Sequence, residues 1–171
     1  MFFTQLKELV ELARVHNQKI SQVMLALEIE EQATDEITIR TRMGEQFSVM
    51  EEAVRRGISE ILPSRGGLIG GDANRLWRYV HENPRNTLGP VASAAMAYAM
   101  AVSEVNAHMG RIVATPTAGA AGILPGVLIA LLDTQQYPRP AIEASLLTAA
   151  AVGLVIANSG SISGVAGGCQ T

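Results

Sequence analysis

The residue types and spacings best suited to chemistry in this 171-residue chain are three glycine-rich turns, a single cysteine and a Glu–His pair. The first turn, Ser64-Arg65-Gly66-Gly67-Leu68-Ile69-Gly70-Gly71, runs into Asp72. Glycines ahead of a helix can turn backbone N–H groups toward an anion. The spacing is not a dinucleotide fingerprint, however, and no P-loop lysine follows. Asp72 would also repel a phosphate, so a ligand loop and a plain connector both remain open. The second turn is Thr115-Pro116-Thr117-Ala118-Gly119-Ala120-Ala121-Gly122. Its small residues allow close backbone approach to a ligand, with hydroxyls at Thr115 and Thr117 as further donors. A carboxylate would suit such a turn, but tight helix packing also demands small residues. The third turn, Asn158-Ser159-Gly160-Ser161-Ile162-Ser163-Gly164-Val165-Ala166-Gly167-Gly168-Cys169, is not a nucleophile elbow, because Ile162 stands where serine belongs.

Cys169 can serve as a thiolate nucleophile, as a metal ligand or as a small buried side chain. A lone thiolate cannot hold an iron–sulfur cluster. Glu104 and His108 lie four residues apart and share a helix face, a spacing that is not the HExxH zinc arrangement. A buried, hydrogen-bonded Glu–His pair is the expectation. His16 and His81 fall on polar faces and are expected to be solvated.

The elements that must carry these turns read as helices. Leu6, Leu9, Val10 and Ala13 recur at helical spacing after a Thr4 cap. Ser21 precedes a short helix with Val23, Met24 and Leu27. A long helix follows Thr34, with a stripe of Met43, Phe47, Met50 and Val54, ending at Gly57 after Arg55 and Arg56. Asp72 is expected to cap a helix carrying Leu76, Trp77 and Val80 that ends near Asn83-Pro84. Pro90 opens an Ala-rich helix to about Met109 that is apolar on nearly every face. A further helix runs from Pro125 to about Gln135, and Arg139-Pro140 introduces the last, to Ala157. The fold class expected is all-α, with the whole of 1–171 as one domain.

Composition narrows the function. Hydrophobic residues make up 48%, which suits one domain with a real core. Charged residues make up 17% and the net charge is −3, which argues against nucleic-acid binding. Aromatics at 4% leave no stacking platform. The charge is uneven: seven basic and eleven acidic side chains fall within residues 1–60, whereas residues 112–171 hold Asp133, Arg139 and Glu143 alone. This implies an amphipathic outer layer and an inner layer hidden by neighbouring elements or a partner. Glu8 and Glu11 argue against a signal peptide. The uncharged stretch 112–132 is broken by prolines and glycines. In 144–168 only Ser145 to Ala157 reads as helix, short of the roughly 20 apolar residues of a membrane span. A cytoplasmic domain without membrane contact is the expectation.

Two longer runs carry a resemblance. Glu104-Val105-Asn106-Ala107-His108-Met109-Gly110-Arg111-Ile112-Val113-Ala114-Thr115-Pro116-Thr117-Ala118-Gly119-Ala120-Ala121-Gly122-Ile123-Leu124-Pro125-Gly126 resembles the α chain of iron–sulfur-dependent L-serine dehydratases, or L-serine ammonia-lyases. Ser161-Ile162-Ser163-Gly164-Val165-Ala166-Gly167-Gly168-Cys169-Gln170 does so as well. Gly67-Leu68-Ile69-Gly70-Gly71-Asp72-Ala73 is similar to that family's GLTGGDA segment, with Ile69 in place of threonine. The resemblance implies an all-helical catalytic domain with a 4Fe-4S cluster on three cysteines. The cluster's open iron acts as a Lewis acid on the β-hydroxyl of L-serine. A base removes the α-proton, hydroxide departs through the iron, and aminoacrylate hydrolyses to pyruvate and ammonia. Metal coordination suits such chemistry because hydroxide is a poor leaving group. By resemblance Cys169 is the first cluster ligand. Thr117, Ala118 and Gly119, together with Ser161, Ser163 and Gly164, would line the substrate carboxylate.

The chain departs from the family pattern after Gln170, where Thr171 is its last residue and two cluster cysteines are missing. One cysteine cannot supply three thiolates. The expectation is an N-terminal portion of the α chain, inactive by itself. It would need the missing C-terminal portion, a β chain or β domain, and an oligomeric assembly. The alternative is a helical interaction module, or decayed fragment, whose glycine-rich last third forms an interface.

Overall fold

Several helix starts in this chain are set by side chains that accept otherwise unpartnered N–H groups. In the computed structural model, which describes residues 2–61, 63–64 and 66–160, seven helices appear and no strand occurs among the described residues. They are α1 (Leu6–Val15), α2 (Ile20–Glu31), α3 (Glu36–Ser59), α4 (Asp72–Glu82), α5 (Gly89–Ala107), α6 (Ile123–Gln135) and α7 (Arg139–Ser159). The all-α expectation holds.

Several boundaries differ from the sequence reading by a residue or two, each for a physical reason. At α1 the Glu8 carboxylate accepts the amides of Thr4 and Gln5 at 2.8 and 3.1 Å, so Gln5 rather than Thr4 is the cap. At α2 the Gln22 side chain accepts the Lys19 amide at 2.8 Å, which starts the helix before Ser21. At α3 Asp35 accepts the Thr38 amide at 2.8 Å. That hydrogen bond, outweighing a small desolvation effect, holds the Asp35 carboxyl below its ordinary range. Gly57 does not stop α3, which runs two residues further. A Cβ there would lie 2.4 Å from the Ala101 carbonyl oxygen, so this glycine serves the approach of two helices.

The chain forms two compact units, Met1–Glu45 with Pro140–Thr171, and Gln46–Arg139. Within the first, Phe3 and Leu9 pack with Val23, Leu27, Ile39 and Leu147 in a buried cluster. α7 adds Ile142, Leu146, Leu147 and Ala151 to buried positions. It is also the one described helix long and apolar enough to cross a membrane, and only 22% of that stretch is buried. Of the two covers expected for this apolar helix, neighbouring elements bury one stripe, while Val152 and Ile156 are exposed.

Within the second unit α5 is central, packing along α6 and α4. Alanines at 94, 97 and 101 bring its backbone close to its neighbours, and Val102 and Val105 are fully buried. Phe47 and Val54 of α3 are buried as the methionine–aromatic stripe implied. Leu76, Trp77 and Val80 of α4 are only half-buried.

Candidate functional site

Both glycine-rich segments that the structure describes are anchored to the C-terminal half of α5. The connection from α5 to α6 leaves the helix at His108, with Met109 in the left-handed region at φ 62°. It returns at Gly122, where a Cβ would stand 2.3 Å from the Ala99 carbonyl oxygen. Gly126 is equally confined, 2.8 Å from the Ala95 carbonyl oxygen and 2.9 Å from the Ala99 nitrogen. These two glycines exist for helix packing.

Gly119 is different. The nearest atom to a Cβ there is Thr117 Oγ1 at 3.9 Å. Thr117, Ala118 and Gly119 are all exposed at the tip of the turn. Thr117 Oγ1 accepts the Ala120 amide at 3.2 Å, which fixes the turn and leaves its hydroxyl proton to donate. Thr115 Oγ1 donates to the Ala120 carbonyl at 3.4 Å, and the Thr115–Pro116 bond is cis. Among the described residues the amides of Ala118 and Gly119 meet no acceptor.

The Ser64–Gly71 loop is tied down at both ends. The Ser64 amide donates to the Ile69 carbonyl at 2.7 Å, and the Ile69 amide to Ser64 Oγ at 3.1 Å. His108 Nδ1 lies 2.9 Å from the Pro63 carbonyl oxygen and donates to it. At the far end Glu104, only 3% exposed, accepts the amides of Gly71, Asp72 and Ala73 at 2.9, 2.7 and 2.9 Å. The expected buried Glu104–His108 pair is thus corrected: each side chain is spent on a different end of one loop, and His108 is exposed. The expected Asp72 cap is corrected as well. Gly71, at φ 82°, is the cap residue, and Asp72 pairs with Arg75.

Sequence reasoning did not find Glu104 as the loop's anchor. The signal was available, since an acid within an Ala-rich, core-facing helix must find several donors. It also did not find a second polar cluster. Arg55 of α3 grips Asp133 of α6 through two bonds of 2.8 and 2.7 Å, and the Tyr98 hydroxyl donates to Asp133 at 2.7 Å. Burial pushes the Asp133 carboxyl up, but the hydrogen bonds from Arg55 and Tyr98 and the Arg55 charge outweigh it and hold it below the usual range. Burial, then the bond to Asp133, raises the Tyr98 hydroxyl. The cluster borders a cleft of about 540 Å³, with Trp77, Val80 and His81 among its walls. Its charges already neutralise one another, which leaves it a structural tie between helices.

Ser161, Ser163, Gly164 and Cys169 lie outside the described residues. Among the described residues no three His, Cys, Asp or Glu side chains gather where a metal ion could sit. The chain has one cysteine. Its own donors therefore do not fit a cluster held by three thiolates.

Comparison with known proteins gives these segments a setting. The serine dehydratase alpha chain family matches residues 15–171. A probable L-serine dehydratase alpha chain of Bacillus subtilis is 44% identical over 168 residues, covering 98% of this chain and 55% of that protein. The L-serine dehydratase alpha chain of Peptoniphilus asaccharolyticus is 32% identical over 164 residues, covering 96% and 56%. An L-serine dehydratase of Streptomyces coelicolor is 38% identical over 169 residues, 95% of this chain and 36% of the other. The chain spans about half the length of the Bacillus and Peptoniphilus alpha chains. With a family match across nearly its whole length, this chain belongs to the serine dehydratase alpha chain family.

Proposed function

We propose that this chain is the N-terminal portion of an L-serine dehydratase α chain, which deaminates L-serine to pyruvate and ammonia once the remainder of the α chain and a β chain join it. The single observation that carries the reading is the open Thr117–Gly119 turn. It presents two acceptor-free amides and a hydroxyl proton at an exposed tip, while its neighbours Gly122 and Gly126 are consumed by packing. Neighbouring N–H and O–H donors of this kind suit a carboxylate, whose oxygens accept several short hydrogen bonds. Thr117, Ala118 and Gly119 hold the serine carboxylate in this reading, with Ser161, Ser163 and Gly164 completing the contact. Cys169 supplies one thiolate of a 4Fe-4S cluster, and the other two come from outside this chain. The assembly is oligomeric and cytoplasmic.

A non-catalytic helical interaction module is the competing reading, and the thinly covered α7 favours it. Anaerobic incubation with iron and sulfide separates the two. Pyruvate is expected only when the chain is mixed with the remaining α portion and the β chain, and Cys169→Ala abolishes it. Pyruvate from the chain alone would overturn the shared-thiolate argument. Folded protein that never yields pyruvate or binds iron in the mixture would leave the interaction module.

A further inference from the structure

Glu104 is a buried carboxylate that no cation accompanies among the described residues, and the hydrogen bonds it accepts come from backbone. Oε2 accepts the Gly71 amide, and Oε1 accepts those of Asp72 and Ala73. These are the cap and first two residues of α4, whose N–H groups have no partner inside the helix. Three successive amides converge on one carboxylate because Gly71 adopts φ 82°, a conformation glycine enters without strain. The residue four positions on, His108, holds the Pro63 carbonyl at the other end of the same loop. Between the two ties nothing comes within 4 Å of a Cβ placed at Gly66 or Gly67. Ser64 and Ile69 bond each other within the loop, and α5 with its C-cap His108 holds the Pro63 and Gly71–Ala73 ends.

We propose that Glu104 is a positioning residue for the dehydratase reaction: its carboxylate fixes the backbone of Gly71–Ala73 and so places the glycine-rich loop of the catalytic domain. The catalytic half of this statement rests on the dehydratase reading, whereas the clamp does not. The same α5 that carries Glu104 receives the returning Gly122 end of the Thr117–Gly119 turn. One helix thus indexes both glycine-rich segments, and an error at Glu104 displaces one relative to the other.

Amide hydrogen exchange on the chain tests the clamp. In the wild type, Gly71, Asp72 and Ala73 exchange as slowly as the α4 interior, although first-turn amides are ordinarily unprotected. Fast exchange at all three would overturn the proposal without any variant. Glu104→Gln then gives an asymmetric result, since one amide oxygen can still accept from Asp72 and Ala73 while the NH₂ faces the Gly71 N–H. Exchange at Gly71 rises about tenfold or more and the other two change little. Three unchanged rates would mean that Glu104 only fills space, which also overturns it.

In the assembled enzyme, Glu104→Gln lowers kcat about tenfold or more with little change in KM, as expected for lost orientation. An altered Gly71 rate with unchanged kcat would reduce Glu104 to a structural cap and overturn the positioning role. A wild-type assembly that makes no pyruvate removes the dehydratase reading and that role with it, while the exchange pattern still decides the clamp.

Discussion

Replacing Gly122 and Gly119 separately by alanine distinguishes the two uses of glycine in one turn. At Gly122 the new methyl carbon would lie 2.3 Å from the Ala99 carbonyl oxygen and 3.1 and 3.2 Å from its carbonyl carbon and Cα. That is about 1 Å short of an ordinary contact. The obstacle is backbone of α5, which cannot rotate away as a side chain would. α5 and α6 pack along one another, so separation at this point is transmitted along both. Overpacking of this kind costs about 1–3 kcal/mol, and a backbone obstacle places Gly122→Ala near the upper end. For a chain of this size each kcal/mol lowers Tm by about 2–4 °C, giving a fall of about 6–12 °C. At Gly119 the nearest atom is 3.9 Å away, so alanine there shifts stability by less than about 0.5 kcal/mol. Thermal unfolding followed by circular dichroism reads both values, and under the proposed dehydratase function Gly119→Ala should raise the serine KM of the assembled enzyme. Equal Tm values for wild type and Gly122→Ala would refute the packing argument outright.

Other perturbations follow from the same contacts. Asp133 has a folded-state pKa below its unfolded value, so its contribution to stability is complete above the ordinary aspartate range. That contribution is lost as pH falls through the depressed value; urea midpoints across an acid series should flatten in Asp133→Asn. Asn74 Nδ2 donates to the Ile58 carbonyl near the end of α3 at 2.6 Å. Asn74→Ala should cost about 1 kcal/mol in urea unfolding. Leu9 is fully buried in the first unit's core, and Leu9→Ala should lose about 3–5 kcal/mol, read as a marked drop in the urea midpoint.

Helix existence and type were legible in the residues, because the apolar stripe at 43–54 repeats with the helical period and the segment from Pro90 is a long Ala-rich run. Helix starts were legible only to within a residue or two. Thr4 was a reasonable cap by type, but the helix starts fall where Glu8, Gln22 and Asp35 accept backbone amides around the first turn. Gly57 illustrates the commoner failure. A glycine following two arginines carries the local marks of a helix stop, and only the distant Ala101 shows that it is an interhelical contact.

The same division runs through the candidate site. Family membership, the all-helical class and the single-cysteine shortfall follow from residue order and composition, since motifs and counts need no coordinates. Which glycine packs and which stays open did not, because Gly119 and Gly122 are chemically identical and differ only in the helix that approaches one of them. The partner of Glu104 was equally hidden: spacing along the chain pointed to His108, four residues away, but a buried carboxylate takes the nearest convergent donors. Those are the amides of Gly71, Asp72 and Ala73, distant in sequence and brought to it only by the packing of α4 against α5.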